Sequence, residues 1–482
     1  MSWEPDLSLA LDEFRLTDLD FISSTTKKFR MNLVPYFEEL KLVEDIDSPF
    51  LRGTLKFNIL KGELKSQGLD VTLQDFIIIS VSSIDSISMN GKEADFSEPR
   101  QIGGVFYITD ISKRDATDPK IDSYTIQFAS TEVLNEFSKK ISKSYKDKTR
   151  EEIIKSITDD FLVKDSFHDG QGSFLKRGIF EKTKDKFQCV IPRWSPTKTI
   201  KWLSSGCVST ENDDSMSFHF FQMFERKLHR SFNFRSIRTM LRQKPSIGVE
   251  DNFLSGYGIY PYDSNVDEKM KRNFARRTAL KCVISDVAGL RQLSSGSYSS
   301  KLLSHDIIRK SFTETKFDYD NKTAANPDKN QGFLIEDNKV QDNFANKFLK
   351  TGDNFVKMDM DHKNLFRKSE TNLGVNKTET WFQDRMSQKN FKDYLTMDVT
   401  FYGDTSRNVG ETVMFTSPGA FDKFESESSD INGMEMDASA KDLAGKYLIT
   451  KIVHSFNLDT QNGSLPGRNT STMTLMKDGL PK

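Results

Sequence analysis

Asp359-Met360-Asp361-His362 sets two carboxylates and an imidazole within four residues, hard donors of the kind that hold a divalent cation. The run lies in a polar stretch, and its plainer reading is a solvated loop. Asp318-Tyr319-Asp320-Asn321-Lys322 opens like a calcium loop and then fails. Lys322 takes a ligand position, and Thr323 stands where the sharp turn needs glycine. Gly256-Tyr257-Gly258 reads as a turn and not as a phosphate cradle. His454 follows an alternating segment, where packing or hydrogen bonding outweighs catalysis. The six histidines are dispersed, and no His-Glu-x-x-His pair, P-loop, dinucleotide glycine fingerprint or nucleophile elbow occurs. Asp and Glu are abundant, but no pair stands out as the two carboxylates of a glycosidase. The expectation is therefore no catalytic, cofactor-binding or metal-binding residue, no cofactor, and an architectural protein instead of an enzyme.

What must be positioned, then, is a set of strands. Gly104-Val105-Phe106-Tyr107-Ile108-Thr109-Asp110-Ile111 aligns without a gap on Gly445-Lys446-Tyr447-Leu448-Ile449-Thr450-Lys451-Ile452. Each is followed by a polar stretch and a second alternating segment, Tyr124–Phe128 in one case and Met473–Met476 in the other. Strand, polar loop and returning strand make a hairpin. Two hairpins of matching register point to a duplicated β domain. The upstream flanks agree: Leu55, Phe57 and Ile59 alternate before the first, as Leu395, Met397, Val399 and Phe401 do before the second. Phe76–Val81 and Val409–Phe415 supply a further strand to each. Alternation at period two sends one set of side chains inward, and several such strands tend to close so that no edge is left. Each copy is expected to be a small antiparallel barrel, with Phe57, Ile108, Val399 and Ile449 in its core.

Composition sets outer limits. The 482 residues suffice for about three or four domains. A formal net charge of −1 argues against nucleic-acid binding as the main task. Basic pairs such as Lys139-Lys140, Lys271-Arg272 and Arg276-Arg277 sit among acids and read as solvated faces. No apolar run approaches the roughly 20 residues of a membrane helix, and the first residues lack the regions of a signal peptide. Cys189, Cys207 and Cys282 are too few and too scattered for a disulfide framework or a zinc cluster, so a reducing cytosol is expected.

Between the repeats the pattern is mixed. Leu134, Phe137 and Ile141 have helical spacing, and Thr149-Arg150-Glu151-Glu152 has capping-box form before Ile153, Ile154, Ile157 and Phe161. A strand is expected at Phe187–Pro192. Ser195 should cap a helix with Pro196 at its first position and Ile200, Leu203 and Cys207 on one face. Ser217–Glu225 reads as a strand returning towards Phe232-Asn233-Phe234, with Ile237, Met240 and Leu241 on a short helix. Residues 321–377 and 425–441 are polar and read as surface insertions. The fold class expected is mainly β with an α+β middle: two duplicated small antiparallel β-barrels plus inserted α/β domains. The boundaries expected are 1–130 for the first barrel and 131–186 for a helical linker. A middle domain at 187–320 lends strands to the second barrel. A polar insertion with a helix follows at 321–392, and the second barrel occupies 393–482.

The carboxy-terminal run Tyr394–Asp404, Val409–Val413, Gly445–Phe456 and Met473–Asp478 resembles the baseplate hub proteins of contractile-tailed bacteriophages, which join tail tube to central spike. Further matches are Ser195-Pro196 with Trp202-Leu203, the strand ending at Phe224-Glu225, Phe232–Ile237, and Gly296-Ser297-Tyr298 with Asp306. The likeness covers about residues 187–482, and the amino-terminal part joins it through the internal repeat. It implies a structural homotrimer in the virion's tail baseplate, assembled in the host cytoplasm, in which two barrels per chain give six lobes around a DNA channel. The partners implied are the tail tube protein, the central spike, the tape-measure protein and other baseplate proteins, with genomic DNA passing unbound and no stable membrane insertion. Secretion-system spike proteins fuse hub and spike, whereas this sequence ends at Lys482 just after the second repeat. The expectation is a spike on a separate chain, with any lysozyme activity there or on another tail protein. The alternative is a tail-associated cell-wall hydrolase, which needs a carboxylate or metal constellation in a cleft. A glycan-binding tail protein would need exposed aromatic platforms, yet Trp194, Trp202 and Trp381 lie in apolar segments. Thr109 and Thr450, facing outward, are candidate subunit contacts.

Overall fold

The computed structural model describes residues 14–23, 30–63, 75–83, 101–115, 118–164, 175–184, 186–211, 215–225, 228–243, 253–255, 279–285, 295, 299–306, 310–318, 356–359, 378–391, 395–403, 405, 407–416, 445–458 and 467–477. Alternating sequence becomes strand at both ends of the chain. The first end holds β1 (Phe14–Ile22), β2 (Arg30–Asn32), β3 (Phe37–Asp45), β4 (Arg52–Leu60), β5 (Phe76–Ser83), β6 (Gln101–Asp115) and β7 (Ile121–Ser130). In β4 the buried set is Gly53, Leu55, Phe57 and Ile59, with polar residues at most of the positions between.

The middle holds α1 (Glu132–Ser138), β8 (Ile141–Thr149), α2 (Arg150–Ile157) with a π-helical turn at Thr158–Val163, and β9 (Leu175–Phe180). It continues with β10 (Lys186–Trp194), α3 (Pro196–Ser204), β11 (Phe218–Phe224), β12 (Arg230–Ser236) and α4 (Ile237–Arg242). Then come β13 (Phe253–Ser255), β14 (Lys281–Ser285), β15 (Ser299–Asp306), β16 (Ser311–Asp318), β17 (Val356–Asp359) and α5 (Thr378–Phe391). The chain finishes in β18 (Leu395–Tyr402), β19 (Thr412–Thr416), β20 (Gly445–Leu458) and β21 (Gly467–Lys477).

Thirteen of the described strands form one sheet in the order β14-β18-β21-β20-β3-β4-β7-β6-β5-β1-β2, with β19 also on β20 and β13 on β19. The repeat is visible in that order. β4-β7-β6-β5 in the first lobe matches β18-β21-β20-β19 in the second. It extends to irregularities: β6 carries an extra residue at Thr109 against β7, and β20 carries one at the aligned Thr450 against β21. Just before the bulge, Ile108 N donates to Asp75 O at 3.0 Å, and the aligned Ile449 N donates to Glu411 O at 2.9 Å.

The expected closure into barrels is corrected by this sheet, in which no ring of described strands closes. The cause lies in β20. Its first part, Gly445–Leu448, pairs with β19, but from Lys451 to Asn457 the same edge pairs with β3 of the other lobe. Hydrogen bonds that would seal the second lobe are made to the first instead. Each lobe still surrounds a core of its own, one including Leu40, Phe57, Ile79, Ile108 and Ile126, the other Met397, Val399, Val413, Ile449 and Met473. Phe57, Ile108, Val399 and Ile449 are all fully buried.

The middle segment packs a third core from Ile141, Ile153, Ile154, Ile157, Ile191, Leu203 and Phe234, among others. Thr149 closes a full capping box with Glu152 at the start of α2. Ser195 stands at the N-cap of α3 in extended conformation, but its side chain makes no capping bond. Glu136 does that work from α1, accepting from Thr197 N at 2.7 Å and from Thr197 Oγ1 at 2.6 Å. The helical spacing read through Ile141 is corrected too: α1 stops at Ser138, and Ile141 begins β8, which pairs with β10. An apolar residue three or four places on serves a strand that turns back to the same core equally well. Of the polar stretch 321–377 only β17 is described before α5, and 425–441 lies outside the described residues.

Candidate functional site: the joint between the two lobes

The two lobes meet at a joint of paired backbone and buried side chains. β3 and β20 form an antiparallel ladder from Asp45–Lys451 to Glu39–Asn457. The bulge at Thr450 turns β20 away from β19, and Thr450 O there accepts from Ile46 N at 3.0 Å. β11 lies against the joint and alternates its phenylalanines between cores: Phe221 enters the second-lobe core, and Phe224 the first. Phe456 of β20 also crosses, packing in the first-lobe core 5.2 Å from Phe14 in ring centroids.

Polar groups are sealed beside this joint, between the β11–β12 hairpin and the first lobe. Arg230 on β12 donates from Nη1 to Val105 O of β6 at 2.7 Å, and from Nη2 to Glu132 Oε1 at 3.0 Å and Thr131 Oγ1 at 3.3 Å. Gln222 Nε2 donates to Glu132 Oε2 at 3.2 Å, while Gln222 Oε1 accepts from Leu51 N at 3.2 Å. The side chains of Arg230 and Glu132 are only 2% and 1% exposed. A charge so buried survives only when paired and hydrogen-bonded, so this chain from Val105 to Leu51 fixes where the β11–β12 hairpin sits on the first lobe. Gly103 serves the sheet beside it: its φ is +141°, and a Cβ there would stand 2.0 Å from Ile79 O of β5.

A second buried group has the composition of chemistry without its geometry. His454 Nδ1 lies 3.0 Å from Ser471 Oγ, and His454 Nε2 lies 3.7 Å from Glu44 Oε1. Hydroxyl, imidazole and carboxylate thus follow the order of a hydrolytic triad. The carboxylate stands beyond hydrogen-bonding distance of the imidazole, and Glu44 Oε2 instead accepts from Phe224 N at 3.3 Å. All three side chains are buried between strands, where no substrate carbonyl reaches the hydroxyl. The arrangement stitches β3, β20, β21 and β11 together. Sequence reading could not find it, because Glu44 is remote from His454 in the chain and only the β3–β20 ladder joins them.

The remaining candidates separate. Asp359 ends β17, which pairs with β15, while Asp361 and His362 lie outside the described residues, as do Tyr319–Thr323 and Gly256–Gly258. Among the described residues no group of three or more His, Cys, Asp or Glu could hold a metal ion, and no described helix is long and apolar enough to cross a membrane. Burial pushes the Cys207 thiol up to about 12 and that of Cys189 up to about 11, leaving both inert as nucleophiles at neutral pH. Trp194 and Trp202 pack edge to face, 5.5 Å apart, against the third core. Of the two threonines, Thr450 is corrected as a subunit contact, since it is buried and its carbonyl is used within the chain. Thr109 is exposed.

No family model matches the chain, and no curated protein matches it. Solved structures do overlap with it. The 43 kDa tail protein of prophage MuSo2 from Shewanella oneidensis superposes with a TM-score of 0.47 at 8% identity, over 96% of this chain and 98% of that one. A tail protein from Neisseria meningitidis gives 0.47 at 8% identity, over 97% and 98%. An Escherichia coli component of the type VI secretion system, described as similar to T4 bacteriophage tail proteins, gives 0.40 at 9% identity, over 92% and 73%.

Proposed function

We propose that this chain is the structural hub of a contractile phage tail. Three copies form a ring, and two lobes per copy put six similar units around a channel. One side of the ring meets the sixfold tail tube and the other a threefold central spike. The tape-measure protein and other baseplate proteins are further partners, and the genome passes through unbound. The hub resides in the virion's tail baseplate and assembles in the host cytoplasm.

The observation that carries this reading is the doubled lobe. The same strand order and the same bulge recur in two halves that join side by side through β3 and β20. A closed ring requires each contact to repeat until it meets its start, and a doubled subunit converts three copies into six near-equivalent positions. The near-neutral formal charge of −1 suits a conduit that must not hold DNA by its phosphates.

End-on particle averaging by electron microscopy of the purified chain, with native mass on the same sample, tests it. The expected result is a trimer with six comparable lobes around an open hole. A compact oligomer without a central hole, or with lobes that do not resemble one another, would overturn the conduit.

A further inference from the structure

The ladder between the lobes closes over two ionisable side chains. Glu44 of β3 opposes Ile452, and His454 of β20 opposes Leu42, so the two are diagonal neighbours across the joint. Both side chains are 0% exposed. Each has one atom engaged: Glu44 Oε2 accepts from Phe224 N, and His454 Nδ1 lies against Ser471 Oγ. The other two atoms, Glu44 Oε1 and His454 Nε2, stand 3.7 Å apart, and neither has a hydrogen-bond partner among the described residues.

The described residues that share this space with them are uncharged. The ladder supplies Leu40, Leu42 and Phe456, β11 supplies Phe224, and Phe14 of β1 packs on Phe456. β21 supplies Asn469, Ser471 and Met473. The charged residues of the ladder, Glu39, Lys41, Asp45 and Lys451, alternate to the opposite face. On β11 and β12 the ionisable groups have partners of their own: His219 with Asp47, Glu225 with Ser231 Oγ, and Arg230 with Glu132. Protons alone therefore set the charge of the pair. A carboxylate beside a neutral imidazole is net negative, one added proton makes the pair neutral, and a second makes it net positive. The two groups share one space and titrate as a unit. Buried charge survives only when it is balanced, so the fold favours the pair with one added proton.

We propose that Glu44 and His454 form a proton-operated latch on the joint between the two lobes. A proton taken from solvent sits between Nε2 and Oε1 and ties β20 of one lobe to β3 of the other. A charge-assisted bond of this kind spans about 2.7–2.9 Å, so roughly 1 Å of side-chain movement closes it with the backbone ladder in place. When the proton returns to solvent, the carboxylate is left as an unbalanced charge inside the joint, and the ladder opens more readily. The sign follows from the charge count. The latch is closed on the acid side of the transition and is lost as pH rises through it. Imidazole is the side chain that ordinarily changes charge between about pH 5 and 8. The latch belongs to the single chain and does not rest on the ring.

The test is amide hydrogen exchange of the full chain at about pH 6 and about pH 8, with each rate corrected for the intrinsic effect of pH. Protection of the ladder, read in peptides covering Leu40–Glu44 and Val453–Phe456, should fall roughly tenfold between the two. Protection of β10 at Cys189–Ile191, in the third core, should stay level. Glu44→Gln removes the carboxylate and keeps its shape, and the ladder of that variant should show no step. Ladder protection that is equal at both values, or higher at the alkaline one, overturns the latch. So does a fall shared equally by β10, which would assign the effect to the whole chain, or a step of the same size in Glu44→Gln. If Glu44→Gln does not fold, His454→Gln gives the same reading. It keeps a donor towards Oε1 and cannot titrate, so loss of the step supports the latch and its persistence overturns it.

Discussion

Thr450 and Thr109 occupy the same place in two copies of one motif, and they have opposite surroundings. Thr450 is buried at the joint, its carbonyl holding Ile46 N and its hydroxyl donating to Thr474 O at 3.1 Å. Thr109 sits on the same bulge, after the same terminal bond to a neighbouring strand, and faces solvent. The difference teaches what the motif encodes. Bulges re-aim a strand and end its pairing, so Gly-x-aromatic-apolar-Ile-Thr-x-Ile specifies where a strand leaves its neighbour and leaves the next partner to what lies alongside. In the second lobe that partner is β3 of the same chain. In the first, no described strand takes that place.

Substitutions around the two bulges should therefore diverge. The largest effect is expected from Arg230→Ala, which strands Glu132 as a buried charge and should cost about 3–5 kcal/mol. Its first-lobe counterpart, Arg114→Ala, removes a half-exposed side chain that lies over Tyr124 and 3.7 Å from the buried Asp122 carboxylate, and should cost about 1 kcal/mol. Denaturant midpoints of the two variants measure both. Phe456→Ala empties a place in the first-lobe core and should cost about 3–5 kcal/mol. Ile284→Ala, at a position 45% exposed, should leave unfolding within about 0.5 kcal/mol. Ile449→Val and Ile108→Val sharpen the comparison from the other direction. Both positions are fully buried, each change should cost about 0.5–1.5 kcal/mol, and the two thermal shifts should match. A twofold disparity would mean that the lobes are alike in path and unlike in packing. Smallest is the threonine pair itself, where Thr450→Val should lose about 1 kcal/mol with its hydrogen bond and Thr109→Val should lose nothing measurable.

The two matching strand pairs, β6 with β7 and β20 with β21, were legible in the sequence because they rest on short-range signals. Ile108 and Ile449, and Phe57 and Phe401, carry period-two burial that any reader of alternation sees. The Thr149 capping box was legible for the same reason, being complete within four residues. The open sheet was not. Alternation says which side of a strand is buried and is silent about which strand lies beside it, so closure within a lobe and hand-over between lobes look alike until the ladder of β3 and β20 is seen. Ile141 shows the matching limit of helical spacing. The buried polar joint was hidden for a further reason: Glu44, Glu132, Gln222, Arg230 and His454 come from separate stretches of chain, and each alone is ordinary.

The hand-over at Thr450 also has a mechanical consequence. In an antiparallel ladder the hydrogen bonds run across the strands, so a pull along β20 loads all seven residue pairs from Lys451–Asp45 to Asn457–Glu39 together, in shear. A pull that lifts one lobe off the other peels those pairs singly. The chain is stiff to sliding and soft to hinging at the same line, so a thrust along β20 would pass between the lobes undiminished while the angle between them could still open and close.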